Sequence, residues 1–413
     1  MRAHLLAPFV PVLLAAGLPV PPSAGAPRAT AAEGTVVLES LDGTVKRLPL
    51  DGFSAADPRQ FGAHLVRFEG IEPPKRAADP APRDVATIEL TSGHALRAEV
   101  VGGRAEVLAA KLVGDVPLRL PVDRIVAIRF EQRLPPDGGV AIAPAAEGDR
   151  LFRVREDGGR GVDRIDGTVL ELGAEGVLID SSIGEKRFPW SEVAALLFEV
   201  FAPGAGAVAS PAVPATVDLI DGSRLAGGLR SLDGRGATLA LSDDNEVTLP
   251  PSVIANVVVA DDRLAWLSDL PAVEHIAGTP FGDDLGMTWP YRRDRTVNGG
   301  RLVADGRTWT RGLGVHAPSR LEFALDGSWK RLRAGVAIDD ETAVLSTRGS
   351  VVFSLVLDGE VKWTSPVVRG GDRPLEVPAL DLSGVKKLEL VVDPTSDSFV
   401  ADRADWLVGM LVR

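Results

Sequence analysis

The chain has no cysteine, one tyrosine and three methionines in 413 residues, and aromatic residues make up only 5% of it. Without cysteine there is neither a disulfide framework nor a site for bacterial lipidation. An excess of basic residues is also missing. Lysine and arginine number 45 against 57 aspartates and glutamates, a net charge of −12. Such a field repels a phosphate backbone, so nucleic acid is a poor partner, although the same acidity is ordinary for a soluble secreted protein. Past the first 20 or so positions no apolar run reaches the roughly 20 residues of a spanning helix, so no membrane insertion is expected.

Glycine (44) and proline (31) are abundant instead, with 45% hydrophobic and 25% charged residues, a globular balance suited to short strands joined by turns. The length exceeds what one hydrophobic core usually organises, so several small all-β domains are expected. At the N-terminus, Arg2 precedes an apolar run from Leu5 to about Val20, broken by Pro8 and Pro11. Small residues follow at Ala24-Gly25-Ala26 and Ala29-Thr30-Ala31. This reads as a cleavable signal peptide over residues 1–31, which would place the mature protein in the periplasm or outside the cell.

The middle of the chain repeats itself. Ala86-Thr87-Ile88-Glu89-Leu90 matches Ala215-Thr216-Val217-Asp218-Leu219 at an offset of 129 (215 − 86). Ser92-Gly93 falls on Asp221-Gly222, Leu120-Pro121 on Leu249-Pro250 and Ile125 on Ile254 without a gap. A third copy lies between them, with Phe188-Pro189 and Val193 in the equivalent places. Each copy reads as about five strands with a one-turn break after proline, a unit that buries its apolar face by curling into a small barrel. Copies are expected at 86–131, 149–200 and 215–261, with a partial unit over 34–70, and the pattern resembles SH3-like or Sm-like barrels. Pro73 to Pro82, Leu134 to Gly148 and Pro203 to Pro214 read as linkers. The cluster Leu264-Ala265-Trp266-Leu267 points to a docked neighbour. No glycine-rich phosphate loop, paired histidines or nucleophile elbow occurs in these repeats, so spacing or protein contact is their expected role. His64 and His94 stand alone and read as surface or turn residues.

Residues 313–393 alternate with period two: Leu313 and Val315, then Leu321, Phe323 and Leu325, then Val351, Phe353, Leu355 and Leu357, then Leu388, Leu390 and Val392. This predicts a two-sheet antiparallel sandwich. His316 falls on the opposite face from Leu313 and Val315, either as a ligand-facing donor or as a strand-edge histidine satisfied by backbone groups. Asp339-Asp340-Glu341 ends a strand with three carboxylates. These suit sugar hydroxyls, hard oxygen ligation of Ca²⁺, or a solvated turn. Asp402-Arg403-Ala404-Asp405-Trp406 joins two carboxylates, a guanidinium and an indole, groups that grip polyols by bidentate hydrogen bonds and face stacking. The alternative is an Asp402–Arg403 ion pair closing the last strand while Trp406 fills the core. Trp289-Pro290-Tyr291-Arg292-Arg293-Asp294, before the regular strands, is the expected source of exposed aromatics.

Gly312-Leu313-Gly314-Val315-His316-Ala317, Ile338-Asp339-Asp340-Glu341, Gly349-Ser350-Val351-Val352-Phe353, Arg369-Gly370-Gly371-Asp372 and the Asp402–Trp406 run, in this order, resemble the NPCBM family of carbohydrate-binding modules over residues 276–413. The resemblance implies a jelly roll that binds glycan and catalyses nothing, with His316, Asp339, Asp340, Asp402, Arg403, Asp405 and Trp406 as its sugar site, to which the reading of the aromatics adds Trp289. Many family members resemble this with histidine where Arg403 stands. No cofactor is required, with Ca²⁺ the one candidate. A second class of function is a structural protein of the cell envelope that contacts other envelope proteins through a jelly roll without a sugar site. A glycoside hydrolase would need two carboxyls about 5–10 Å apart in a dedicated cleft, for which the short repeats leave no room.

Overall fold

The computed structural model describes residues 34–74, 84–104, 107–135, 142–145, 147–155, 161–199, 212–242, 244–278, 289–396 and 399–413. The expected signal peptide and much of the three expected linkers fall outside these residues. Every regular element described is a strand or a short 3₁₀ turn, and among the described residues no helix is long and apolar enough to cross a membrane.

Four β units precede a sandwich. Unit one has strands Thr35–Glu39, Val45–Pro49 and Leu65–Glu69, with the short Ser54–Ala55 between the last two. Unit two runs Val85–Leu90, Ala95–Arg104, Val107–Lys111, Pro117–Pro121 and Ile125–Arg129. Unit three runs Asp149–Val154, Val162–Gly173, Gly176–Ser181, Gly184–Phe188 and Val193–Leu197. Unit four runs Val213–Leu219, Arg224–Asp233, Gly236–Ser242, Asn245–Leu249 and Ile254–Val259. In units two to four the first four strands form an antiparallel meander, and the fifth returns to pair with the first. Pro121, Pro189 and Pro250 each open the 3₁₀ turn before the fifth strand, where a fixed φ is useful and a missing N–H costs nothing.

The long second strand carries a bulge between Val100 and Gly102 in unit two, Val169 and Glu171 in unit three, and Leu229 and Ser231 in unit four. A bulge bends its strand, which lets each meander curl over its own apolar face. The units then join through their last strands. Ile125–Arg129 pairs with Val193–Leu197, and Ile254–Val259 with Leu65–Glu69, giving one ten-stranded and one nine-stranded sheet. Their apolar faces merge into a single core that includes Val36, Ile88, Leu151 and Val217. His64 departs from the surface role read for it: it is 7% exposed and its Nε2 lies 2.8 Å from Asp261, on the seam between units one and four.

The sandwich has two sheets. One orders Arg292–Arg293, Gly312–His316, Arg403–Val412, Arg331–Ile338 and Leu375–Glu376; the other orders Glu274–Ala277, Ser319–Ala324, Lys387–Pro394, Ser350–Leu357 and Glu360–Thr364. The alternating residues read from the sequence, Leu313 to Val392, face one another between these sheets. The module begins earlier than residue 276. Leu264–Trp266 pairs with the central strand Arg403–Val412, and Leu267 is buried in the same core, so the cluster expected to dock on the module is part of it.

A buried ionic seam holds the module to unit four. Arg224 bonds Asp218 (2.6 Å) and Asp294 (2.8 Å), and Arg311 bonds Asp269 (2.6 Å) with Asp218 at 3.7 Å. Asp218 is 1% and Arg311 4% exposed.

If units two and four are equivalent, Leu120 and Leu249, both enclosed in the shared core, should answer alike to truncation. Leu120→Ala and Leu249→Ala are each expected to cost about 2–5 kcal/mol and to agree within about 1 kcal/mol in urea unfolding of the full chain. A large loss at one position and none at the other would break the equivalence.

Candidate functional site

The signature residues collect at one end of the sheet that contains the C-terminal strand. Gly312–His316 runs antiparallel to Arg403–Val412, placing His316 opposite Arg403 and Gly314 opposite Asp405, while Ala337 of the strand on the other side also faces Asp405. Gly314 is needed for close approach. A Cβ there would meet the Arg295 carbonyl oxygen at 2.3 Å, so only glycine lets the segment bearing Thr296 and Asn298 cross this strand.

Asp339 and Asp405 form a buried carboxyl pair, each 1% exposed. Asp339 accepts the amides of Glu341 (2.7 Å) and Val303 (2.8 Å), and the two side chains share a hydrogen bond. Burial raises Asp339 above the usual carboxylate range, opposed by those two amides. Burial raises Asp405 much further, and the charge of Asp339 adds to it, so the shared proton rests on Asp405, which donates to Asp339. Asp340 accepts the amides of Asp305 (3.3 Å) and Gly306 (2.8 Å) at the turn joining strands Leu302–Ala304 and Arg307–Trp309. Asp402 is fully buried and accepts the Ser350 amide at 2.8 Å. These four carboxylates hold backbone and each other.

Trp406 is 1% exposed and meets Phe353 edge-on at 5.2 Å in the core between the sheets. The stacking role expected for Trp406 is therefore corrected: an enclosed indole offers no face to a sugar, and the core-filling alternative is the one the structure shows. The companion expectation of an Asp402–Arg403 pair changes as well, because Arg403 pairs with Glu341, at 3.4 Å.

A smaller group reaches the rim. Glu341, half-buried, accepts Asn298 Nδ2 at 2.9 Å and Thr296 Oγ1 at 3.2 Å beside Arg403. Its carboxyl is raised by burial and by the charge of Asp339. His316 is buried, at 7% exposure, under Trp289, whose ring stacks on it at 4.4 Å and 16°. His316 Nδ1 donates to the Ala317 carbonyl at 2.7 Å. Burial lowers the His316 pKa and the charge of Arg403 adds to this, so the ring is neutral near pH 7 and Nε2 is an acceptor. Sequence reasoning passed over Thr296 and Asn298, and weighed Glu341 with its two neighbouring aspartates but left it out of the sugar site. Glu341 lay inside a quoted motif; Thr296 and Asn298 sit in an unpatterned turn and gave no periodic signal. Among the described residues no group of three or more His, Asp or Glu side chains is arranged to hold a metal ion.

A two-sheet antiparallel jelly roll with an indole, an imidazole, a guanidinium, a carboxylate and an amide on one rim defines a β-sandwich of the binding-module class. Residues 263–412 match the NPCBM/NEW2 domain, and the C-terminal part of the chain is a domain of that family. Among curated proteins, the chain is 33% identical over 170 residues to "Putative endo-alpha-N-acetylgalactosaminidase" of Renibacterium salmoninarum, covering 39% of this chain and 10% of that protein. It is 31% identical over 124 residues to alpha-1,3-galactosidase B of Akkermansia muciniphila, covering 29% and 15%. The chain thus spans a small fraction of the length of these relatives. Among solved structures, the CBM51 module of Clostridium perfringens GH95 in complex with methyl-galactose aligns at 22% identity and a TM-score of 0.32, covering 36% of this chain and 99% of that one. The family match stops at residue 263, so the likeness of the repeats to SH3-like or Sm-like barrels rests on pattern alone.

The carboxyl pair sets a pH dependence. Asp339 and Asp405 titrate above their unfolded values, so folding takes up protons, and their contribution is complete at low pH and lost as pH rises through the raised pKa. Asp405→Asn removes the ionisation at that position. Its melting temperature is expected to gain on the wild type between about pH 5 and about pH 8, and a constant difference across that range would contradict the shared proton.

Proposed function

We propose that the chain is an exported, non-catalytic protein that binds glycan through its C-terminal module, with the four β units as the base that holds it. The rim carries this reading: Trp289 over His316, and Arg403 with Glu341 and Asn298, offer a ring face, donors and acceptors within one strand end. Sugars are recognised by this mixture, in which planar polar groups take paired hydroxyls and an aromatic face takes the C–H side of the ring. The names of the two curated relatives, both acting on glycans, agree with it. Absence of catalysis is supported by the buried state of the Asp339–Asp405 pair, since a hydrolase needs both carboxyls in contact with substrate.

A second reading has its own observation. His316, Asp339, Asp402, Asp405 and Trp406, five of the eight residues assigned to the sugar site, are buried, which suits a module kept for docking to other envelope proteins. A glycan array probed with the full chain separates the two, because retention of no glycan would favour docking. On a glycan that is retained, Glu341→Gln and Arg403→Gln are each expected to weaken binding about tenfold, or about 1.4 kcal/mol, with unchanged thermal melts. Trp406→Ala is expected instead to cost about 3–5 kcal/mol of stability, as a core truncation.

A further inference from the structure

The junction between the module and units one and four forms a partly open cavity of about 790 Å³, within the range of small-molecule sites. None of the rim residues lines it. Leu65, Trp266 and Met410, which pack together as one apolar cluster, form part of its wall. The charged lining is uneven. Glu39, 5% exposed, is held between Arg67 at 2.7 Å and Arg333 at 2.5 Å, so two guanidinium groups share one buried carboxylate. A third, Arg307, lies over the Trp309 ring at 4.1 Å, is exposed, and has no carboxylate within ion-pair reach among the described residues. Arg311 also lines the space but is committed to the ionic seam. Glu69 and Glu376 complete the acidic lining; Glu69 is engaged by Arg47 at 3.6 Å.

A guanidinium over an indole face, with no carboxylate partner, has N–H groups to offer a planar acceptor, and a carboxylate is the acceptor that matches it in shape and charge. Apolar and aromatic wall beside that donor suits the C–H face of a sugar ring. We propose that this junction cavity is a second binding site, for a carboxylated sugar, with Arg307 receiving the carboxylate and Arg67 and Arg333 supplying the surrounding positive potential. The site is composite, since the isolated module lacks the wall that carries Glu39, Leu65 and Arg67 and would not form it.

The test is calorimetric titration of the full chain with sodium D-glucuronate, D-glucose and inorganic phosphate, which separate the acid, the ring and the bare anion. Glucuronate is expected to bind at least tenfold more tightly than either of the others. Arg307→Gln should weaken it about tenfold with an unchanged melt, whereas Arg235→Gln, which removes an exposed charge elsewhere, should leave it as in the wild type. Equal affinity for glucose and glucuronate, or no loss in R307Q, would overturn the proposal. Phosphate binding as tight as glucuronate would overturn the sugar assignment and leave an anion site.

Discussion

The structure depends first on the closed ionic seam between unit four and the module. Charges taken out of water are stable only as a complete set, and removing one member leaves the others buried without compensation, typically a loss of about 3–5 kcal/mol. Here Asp218 serves Arg224 and receives Thr310 Oγ1 at 3.2 Å, and Asp294 serves Arg224 and accepts the Gly312 amide at 3.0 Å. A single carboxylate therefore fixes both the seam and the start of the strand that ends at His316. Position passes from the repeats to the rim through covalent neighbours and short hydrogen bonds.

Acidic side chains in the module act mainly as fasteners. Asp339, Asp340 and Asp402 each accept backbone amides from segments far away in sequence. They satisfy N–H groups that the irregular ends of the strands would leave unpaired. Asp405 differs in being the protonated partner, and a neutral acid at full burial avoids a second charge beside Asp339. This division leaves Glu341 as the acid available at the rim.

Much of the fold was legible because burial writes a period into the chain. Alternation located the sandwich strands, and the offset of 129 carries over to element boundaries: Ala95–Arg104 corresponds to Arg224–Asp233, and Val122–Arg124 to Pro251–Val253. The start of the module was misplaced because Leu264–Trp266 is three residues long, too short to show alternation. The site was legible only as a set of motifs. Nothing local distinguishes an aspartate that binds a ligand from one that binds an amide, and Trp406 reads the same whether it faces a sugar or Phe353. The distinction lies in which strands become neighbours, and Thr296 and Asn298 were missed for the same reason: they enter the site through the crossing over Gly314.

The last-strand pairing of the units governs how such an array can change in length. A unit whose fifth strand finds no counterpart leaves a bare ladder of N–H and C=O groups at a sheet margin, an invitation to pair with another chain. Two units closed on each other have consumed those edges. The last strand of each unit is thus shielded by that of another, and the incomplete first unit supplies the one strand that the fourth pairs with.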